Sequence, residues 1–242
     1  MEYRGTVNPE SRNAVRPLAW LAWSSGKDSA WTLHTVREEG EYDVVALLTT
    51  VNRTHGRVAM HGVRESLLEI QAASAGLPLV KVPIPSPCSN EVYEHAMSQA
   101  MTMARAAGVR HVIFGDLFLA DVRAYRQRRL ASCGMTPVFP LWGRDTRQLA
   151  EDMVAGGLSG FLTCVDPRKL DRTFAGRRFD SGLLAALPRD VDACGENGEF
   201  HTFAATGPMF SGGIVVTAGE ILDRDGFVFA DLLPERATVG IP

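Results

Sequence analysis

Six consecutive residues, Ser24-Ser25-Gly26-Lys27-Asp28-Ser29, concentrate the groups that hold an anion. Three hydroxyls and a lysine ammonium supply donors and charge, and Gly26 permits close approach to the backbone. They stand between an apolar run, Leu18 to Trp23, and a helical pattern from Ser29 to Glu39. The amides that open a helix have no partner inside it and carry partial positive charge, so the expected guest is a phosphate. An N-capped turn without a ligand would use the same residues, because Ser, Gly and Asp all favour helix starts. Asp28 either reaches Mg²⁺ through the phosphates or simply complements the helix N-terminus, and both readings stay open.

Two later stretches carry further chemistry. In "FGDLFLAD", Gly115 and Asp116 follow a predicted strand directly; Asp116 is expected to bind Mg²⁺ or orient a substrate, and Asp121 to cap the next helix. The basic run "RAYRQRR" reads as a solvated helix face with one arginine available to a phosphate. "CGENGEFHT" gathers Glu196, Asn197, Glu199, His201 and Thr202 around Gly195 and Gly198. A carboxylate beside a histidine suits general-base work, while Asn-Gly alone would be satisfied by a β-hairpin turn. His55 and His61 lie in a loop that either recognises a ligand or is plain surface; Met97, Met101 and Met103 read as helix packing.

Positioning these residues requires an alternation of strands and helices. Strands are predicted at Leu18 to Trp23, Asp43 to Thr50, "LPLVKVPI" and "VRHVIFGD", with helices between them. That succession argues for an α/β, doubly wound parallel sheet, whose ligands sit at the carboxyl ends of the strands. Beyond about Met135 the chain becomes Gly-rich and ends in apparent hairpins, which predicts a smaller C-terminal α+β region. The expected division is a mobile tail over 1–16, a nucleotide-binding domain over 17–135 and a substrate-binding, catalytic domain over 136–242.

Walker A spacing is absent, because no Gly stands four residues before Gly26 and Asp28 rather than Ser or Thr follows Lys27. The six residues instead resemble the pyrophosphate loop, SGGxDS, of the N-type ATP pyrophosphatases, with Ser25 in place of the usual second Gly. With "FGDLFLADVRAYR" and "CGENGEFHTF" added, the chain resembles the diphthine–ammonia ligase family of this PP-loop, adenine nucleotide alpha hydrolase-like superfamily, over about residues 18 to 210. The family's run is closer to EGGE followed by an aromatic, an acid and Thr. Glu196, Gly198, Glu199 and Thr202 therefore match, whereas Asn197 and His201 replace Gly and Glu.

The resemblance implies a Rossmann-like domain of HUP type and a family-specific domain completing the active site. It implies adenylation of a substrate carboxylate by ATP with Mg²⁺, release of pyrophosphate, and amide formation with ammonia or an amine. Site residues carried over on this basis are Ser24 to Ser29 for ATP, with Asp28 and Asp116 for the metal. Lys27, Asp116, Glu199 and His201 are the expected catalytic groups, and Glu196, Asn197, Gly198 and Thr202 the expected substrate contacts. The acceptor is expected to be a small molecule or a modified protein side chain, and a homodimer is left open. A nucleotide sensor without turnover and a tRNA-modifying pyrophosphatase are the competing classes.

Composition narrows the partners. With 45% hydrophobic and 22% charged residues the chain reads as an ordinary globular protein, and a net charge of −3 gives no global attraction to nucleic acid or an anionic membrane. Cys88, Cys133, Cys164 and Cys194 form no CxxC pair, which argues for reduced thiols and against zinc or thiolase chemistry. No apolar run suggests a leader or membrane span, so a cytoplasmic protein is expected. No glutaminase domain is expected either, which leaves free ammonia or an amine as the nucleophile.

Overall fold

A computed structural model describes residues 15–235 of the chain; most of the expected N-terminal tail lies outside them. The first half builds a sheet from β1 (Leu18–Ala22), β2 (Asp43–Asn52), β4 (Leu79–Ile84), β5 (His111–Ile113) and β6 (Thr136–Val138). β2 pairs in parallel with β1 on one side and β4 on the other, β1 with β5, and β5 with β6. The parallel order is therefore β4–β2–β1–β5–β6. A two-residue strand, β3 (Arg57–Val58), turns back antiparallel on the end of β2.

Alternation along β1 explains the layers. Ala19, Leu21 and Trp23 enter one core with residues of helices α1 (Lys27–Glu39) and α2 (Glu65–Ala75). Trp20 faces the opposite core, filled by α3 (Asn90–Ala106) and α4 (Ala120–Ser132). Side chains alternate across a strand, so a sheet buried on both faces needs apolar residues at every position, as β1 has.

The rest of the described chain forms helices α5 (Thr146–Ala155) and α6 (Ser181–Ala186) and a second, antiparallel sheet. In it β7 (Ser159–Val165) pairs with β8 (Arg178–Phe179), β9 (Phe200–Thr206) and β11 (Phe227–Pro234), and β10 (Val216–Arg224) edges β11. The protein is thus an α/β Rossmann-like unit with a smaller α+β unit. Leu162, Val165, Phe203 and Val228 of the second sheet join the same core as α1 and α2. The two sheets consequently share an apolar seam, and it carries the start of α1 against β9. Among the described residues no helix is long and apolar enough to cross a membrane.

Candidate active site

The strand order reverses between β1 and β5, each followed by a loop at its carboxyl end, which is where an open parallel sheet leaves a crevice. Pairing of β1 continues one residue further, with the Trp23 amide on the Leu48 carbonyl at 2.8 Å and the Thr49 hydroxyl on the Trp23 carbonyl at 2.8 Å. The chain then turns at Ser25 with φ +69°, a left-handed conformation that disfavours any residue with a Cβ. This turn buries Ser25 completely, leaves its hydroxyl without a partner and keeps the residue out of the crevice lining. The backbone requirement also accounts for Gly as the usual residue of the similar loop.

Gly26 is the N-cap of α1 and supplies no side-chain cap. Its amide donates to Ser24 Oγ at 3.2 Å, the Lys27 amide to Thr202 Oγ1 at 3.0 Å, and Ser29 Oγ to the Gly26 carbonyl at 3.0 Å. A Cβ on Gly26 would sit 3.2 to 3.3 Å from Ser24 Oγ, His61 Cε1 and the Thr202 carbonyl, so the loop is closed on by its own protein as well as open to a ligand. Lys27, 2% exposed, places Nζ 2.8 Å from Asp28 Oδ2 and donates to the Cys194 carbonyl. Burial opposes its charge, but Asp28 holds the ammonium above its usual range. Asp28 Oδ1 is buried and unpartnered, an oxygen suited to a hard cation beside phosphates.

Gln71 also shapes this loop, although no spacing in the sequence singled it out as functional. Its Nε2 donates to the Ser25 carbonyl at 3.0 Å and to the Ala204 carbonyl at 2.7 Å, and its Oε1 accepts from Trp23 Nε1 at 3.1 Å. The Ala204 amide adds a second bond to the Ser25 carbonyl at 2.9 Å. The available signal was a fully buried-face position: Leu67, Leu68, Gln71, Ala72 and Ala75 form the inward stripe of α2, and Gln is the lone polar member.

On the other side of the switch point, β5 ends early because α1 presses against it. A Cβ on Gly115 would meet Thr32 Oγ1 at 2.9 Å and the Asp28 carbonyl carbon at 3.0 Å. Asp116 faces the crevice with both oxygens held by Arg126, at 2.5 and 3.0 Å, and that guanidinium lies 4.3 Å over Phe114. A carboxylate so engaged fits substrate orientation better than metal binding. Asp121 is exposed in the first turn of α4, whose N-cap is Leu119, so it complements the helix dipole and does not cap.

The acidic stretch is two successive turns, Gly195 N–H to Asp192 carbonyl and Gly198 N–H to Gly195 carbonyl, leading into β9, and not a β-hairpin. It divides its residues between two sides. Glu196, His201 and Thr202 line the crevice, together with Ser24, Lys27, Asp28, Ser29 and Asp116. Glu199 does not: it is 3% exposed, and its Oε1 accepts from the Asp192 amide at 3.2 Å and Asn197 Nδ2 at 3.1 Å. Asn197, whose carbonyl takes Lys169 Nζ, and Gly198, at φ +81°, likewise serve the turn. Glu199, expected to be catalytic, and Asn197 and Gly198, expected to contact substrate, thus lie within the turn and outside the crevice lining, with Glu199 Oε2 buried and unpartnered.

Glu196 instead bridges the motifs, its Oε1 accepting from the Leu117 amide at 2.8 Å. Burial pushes its carboxyl up to about 7, against the Leu117 amide, which pulls it down. The His201 ring packs on His61 with centroids 4.4 Å apart. Burial, followed by Lys27, lowers His201 to about 4, and burial with His201 lowers His61 well below its usual value. His61 thus belongs to the crevice, whereas His55 is exposed beside a neighbouring cavity. Met97 joins Leu48, Thr50, Tyr93 and Phe114 on the less polar wall of a crevice of about 350 Å³; Met101 is buried and Met103 exposed. Burial raises the Cys194 thiol, so no thiolate faces the loop. Among the described residues no three His, Cys, Asp or Glu side chains are grouped to hold a metal.

Two family models match the chain: the diphthamide synthase N-terminal domain over residues 19–137 and the diphthamide synthase C-terminal domain over 145–230. Proteins named diphthine–ammonia ligase are similar along most of their length, 23% identical over 230 residues in Bos taurus and 24% over 230 in Danio rerio. The matches cover 86% of this chain, and 85% and 89% of those proteins. A protein of the same name from Schizosaccharomyces pombe is 31% identical over 95 residues, where the match spans 38% of this chain and 16% of that longer protein.

Proposed function

The chain belongs to the diphthamide synthase family, and from that premise we propose that it is an ATP-dependent ligase that activates a carboxylate by adenylation and converts it to an amide. The observation that carries this reading is convergence. The start of α1, the Asp116 loop and Glu196 meet at one crevice, tied by the Leu117–Glu196 and Lys27–Thr202 hydrogen bonds across 79 and 175 residues of chain. ATP would lay its phosphates on the amides and hydroxyls at Ser24, Gly26 and Ser29, and its base against Tyr93, Met97 and Phe114.

In the first step an oxygen of the acceptor carboxylate bonds to the α-phosphorus. The bond to the bridging oxygen breaks, and pyrophosphate leaves with its electron pair. Held by Asp28 Oδ1 and the phosphates, Mg²⁺ would offset the charge of that leaving group. In the second step the nitrogen of ammonia or an amine bonds to the acyl carbon, AMP departs, and the nitrogen gives up one proton. Glu196, titrating at about 7, is matched to accept that proton; His201, at about 4, is too weak a base near neutrality and serves as a neutral wall. Arg126 holds Asp116 toward the reacting centre.

The experiment is product identification with ATP labelled at the α-phosphate, Mg²⁺ and a metabolite extract. AMP and pyrophosphate are expected. ADP and orthophosphate would refute the pyrophosphatase reading, and tight binding with no products in any extract would favour a sensor.

A further inference from the structure

A second cavity of about 290 Å³ adjoins the nucleotide crevice and shares Val58, Ala59, Met60 and His201 with it as common wall. Its two other sides come from opposite halves of the molecule: the loop after β2, with His55 and Arg57, and the tip of the β10–β11 hairpin, with Arg224 and Phe229. The two arginines are in different states. Arg57 is engaged, its guanidinium 2.8 Å from Asp231 Oδ1 and 2.7 Å from the Gly62 carbonyl. Arg224 is half-buried, lies 4.8 Å over the Phe229 ring, and has no carboxylate within ion-pair distance among the described residues. Its neighbour Asp225, with φ +55°, is exposed at the hairpin tip and also lines the rim of the cavity, but makes no ion pair with Arg224. A guanidinium stacked on an aromatic ring is fixed in direction while its edge stays free, and that edge matches a carboxylate in two-point geometry.

Adenylation asks for such a place. The reacting carboxylate of the acceptor must lie beside the phosphate loop, and the remainder of that molecule must leave the crevice in some direction. The wall at Tyr93, Met97 and Phe114 is the less polar one and suits the base of the nucleotide; the wall at His201 opens toward the cation.

We propose that this second cavity binds the far end of the acceptor, with Arg224 gripping a second carboxylate there, so that the substrate is a dicarboxylate whose other end passes His201 to the phosphate loop. The proposal rests on the adenylation reading above. It adds the class of acceptor and a residue that selects it. In the step it serves, one carboxylate takes the adenylyl group and releases pyrophosphate, while the second stays ionised and unreacted on Arg224.

ATP–pyrophosphate exchange tests it, because label enters ATP only when an acceptor carboxylate is reversibly adenylated. The probes are succinate, glutarate, adipate and pimelate, each beside its monomethyl ester, with MgATP affinity measured on the same protein by calorimetry. At least one diacid should support exchange far better than its ester. Arg224→Gln, which keeps the stem over Phe229, should raise the KM of that diacid roughly ten- to a hundredfold, as expected for losing a charged hydrogen-bonded contact, with kcat and MgATP affinity nearly unchanged. Arg224→Lys should recover part of the loss. Esters exchanging as well as diacids, an Arg224→Gln variant with the parent KM, or no exchange with any diacid in protein that binds MgATP would each overturn the proposal. Failure to bind MgATP at all, or ADP as product, would instead overturn the adenylation reading beneath it.

Discussion

The loop Ser24 to Ser29 and the acidic turn before β9 face each other across one crevice, yet they are built on different terms. Ser24 to Ser29 is specified mainly by backbone: an N-cap at Gly26, a left-handed residue at Ser25, and hydroxyls bonded within five positions of one another. The acidic turn is specified by side-chain direction. Within six residues, Glu196 and His201 point into the crevice while Glu199 points into the protein. Density of chemical groups therefore marks a place in the second case without identifying the acting group.

The sharpest way to break that contrast is to exchange the two carboxylates' fates. Glu196→Gln is expected to lower kcat/KM for amide formation by about 10² to 10⁴, the range for a lost general base, and to abolish a rising limb of the pH profile near 7. Glu199→Gln should retain that limb and turn over at close to the parent rate, with its effect appearing as a lower unfolding temperature. Should the limb vanish with Glu199 and survive the change at Glu196, the two sides have been assigned the wrong way round.

A somewhat smaller effect concerns the histidine pair that joins the two regions. His201 is half-buried, and the desolvation of its ring lowers its value to about 4 from 6.5, so the folded state resists protonation. The stability it contributes is complete above pH 6.5 and is lost as pH falls toward 4, on the order of 3 kcal/mol for the whole shift. Denaturant unfolding of the parent and of His201→Asn at pH 7 and pH 4.5 measures this. The variant should lose less on acidification; equal losses would show that His201 is not the group being protonated.

The smallest expected effect lies in the Ser24 to Ser29 loop itself. Ser25→Gly removes a left-handed Cβ and a buried unpartnered hydroxyl, at the expense of a looser unfolded chain, for a net gain of about 0.5 to 1 kcal/mol. That corresponds to a rise of about 1 to 4 °C in Tm, read by calorimetry. Gln71→Leu, which removes one of the two hydrogen bonds to the Ser25 carbonyl, should cost more in the Ser25 protein than in the Ser25→Gly protein, and additive costs would disprove a role for Gln71 in holding the strained turn.

Much of this architecture was legible beforehand, for reasons that are local. The run Leu18 to Trp23, the strand from Asp43 and the hairpin toward the C-terminus are decided by periodicity and turn residues, so the predicted elements recur within a few residues. Gly115 was visible as a strand-end residue, but its necessity comes from α1 lying within 3 Å of the space a side chain would take. His61 could not be separated from His55 by composition, because what distinguishes them is contact with His201, 140 positions away along the chain.

The amino-acid sequence by itself determined the alternation of elements, the place of the Ser24 to Ser29 loop at a strand's carboxyl end, and the family to which the chain belongs, since each depends on spacing within a few residues. Tertiary structure alone decided which carboxylate faces the crevice and which is turned into the protein. A turn can aim Glu196 and Glu199 either way, and the choice falls to partners supplied from elsewhere: the Leu117 amide for Glu196, the Asp192 amide and Asn197 for Glu199. It also decided their chemistry, because the burial that lifts Glu196 toward neutrality and lowers His201 exists only once the second sheet has closed against α1.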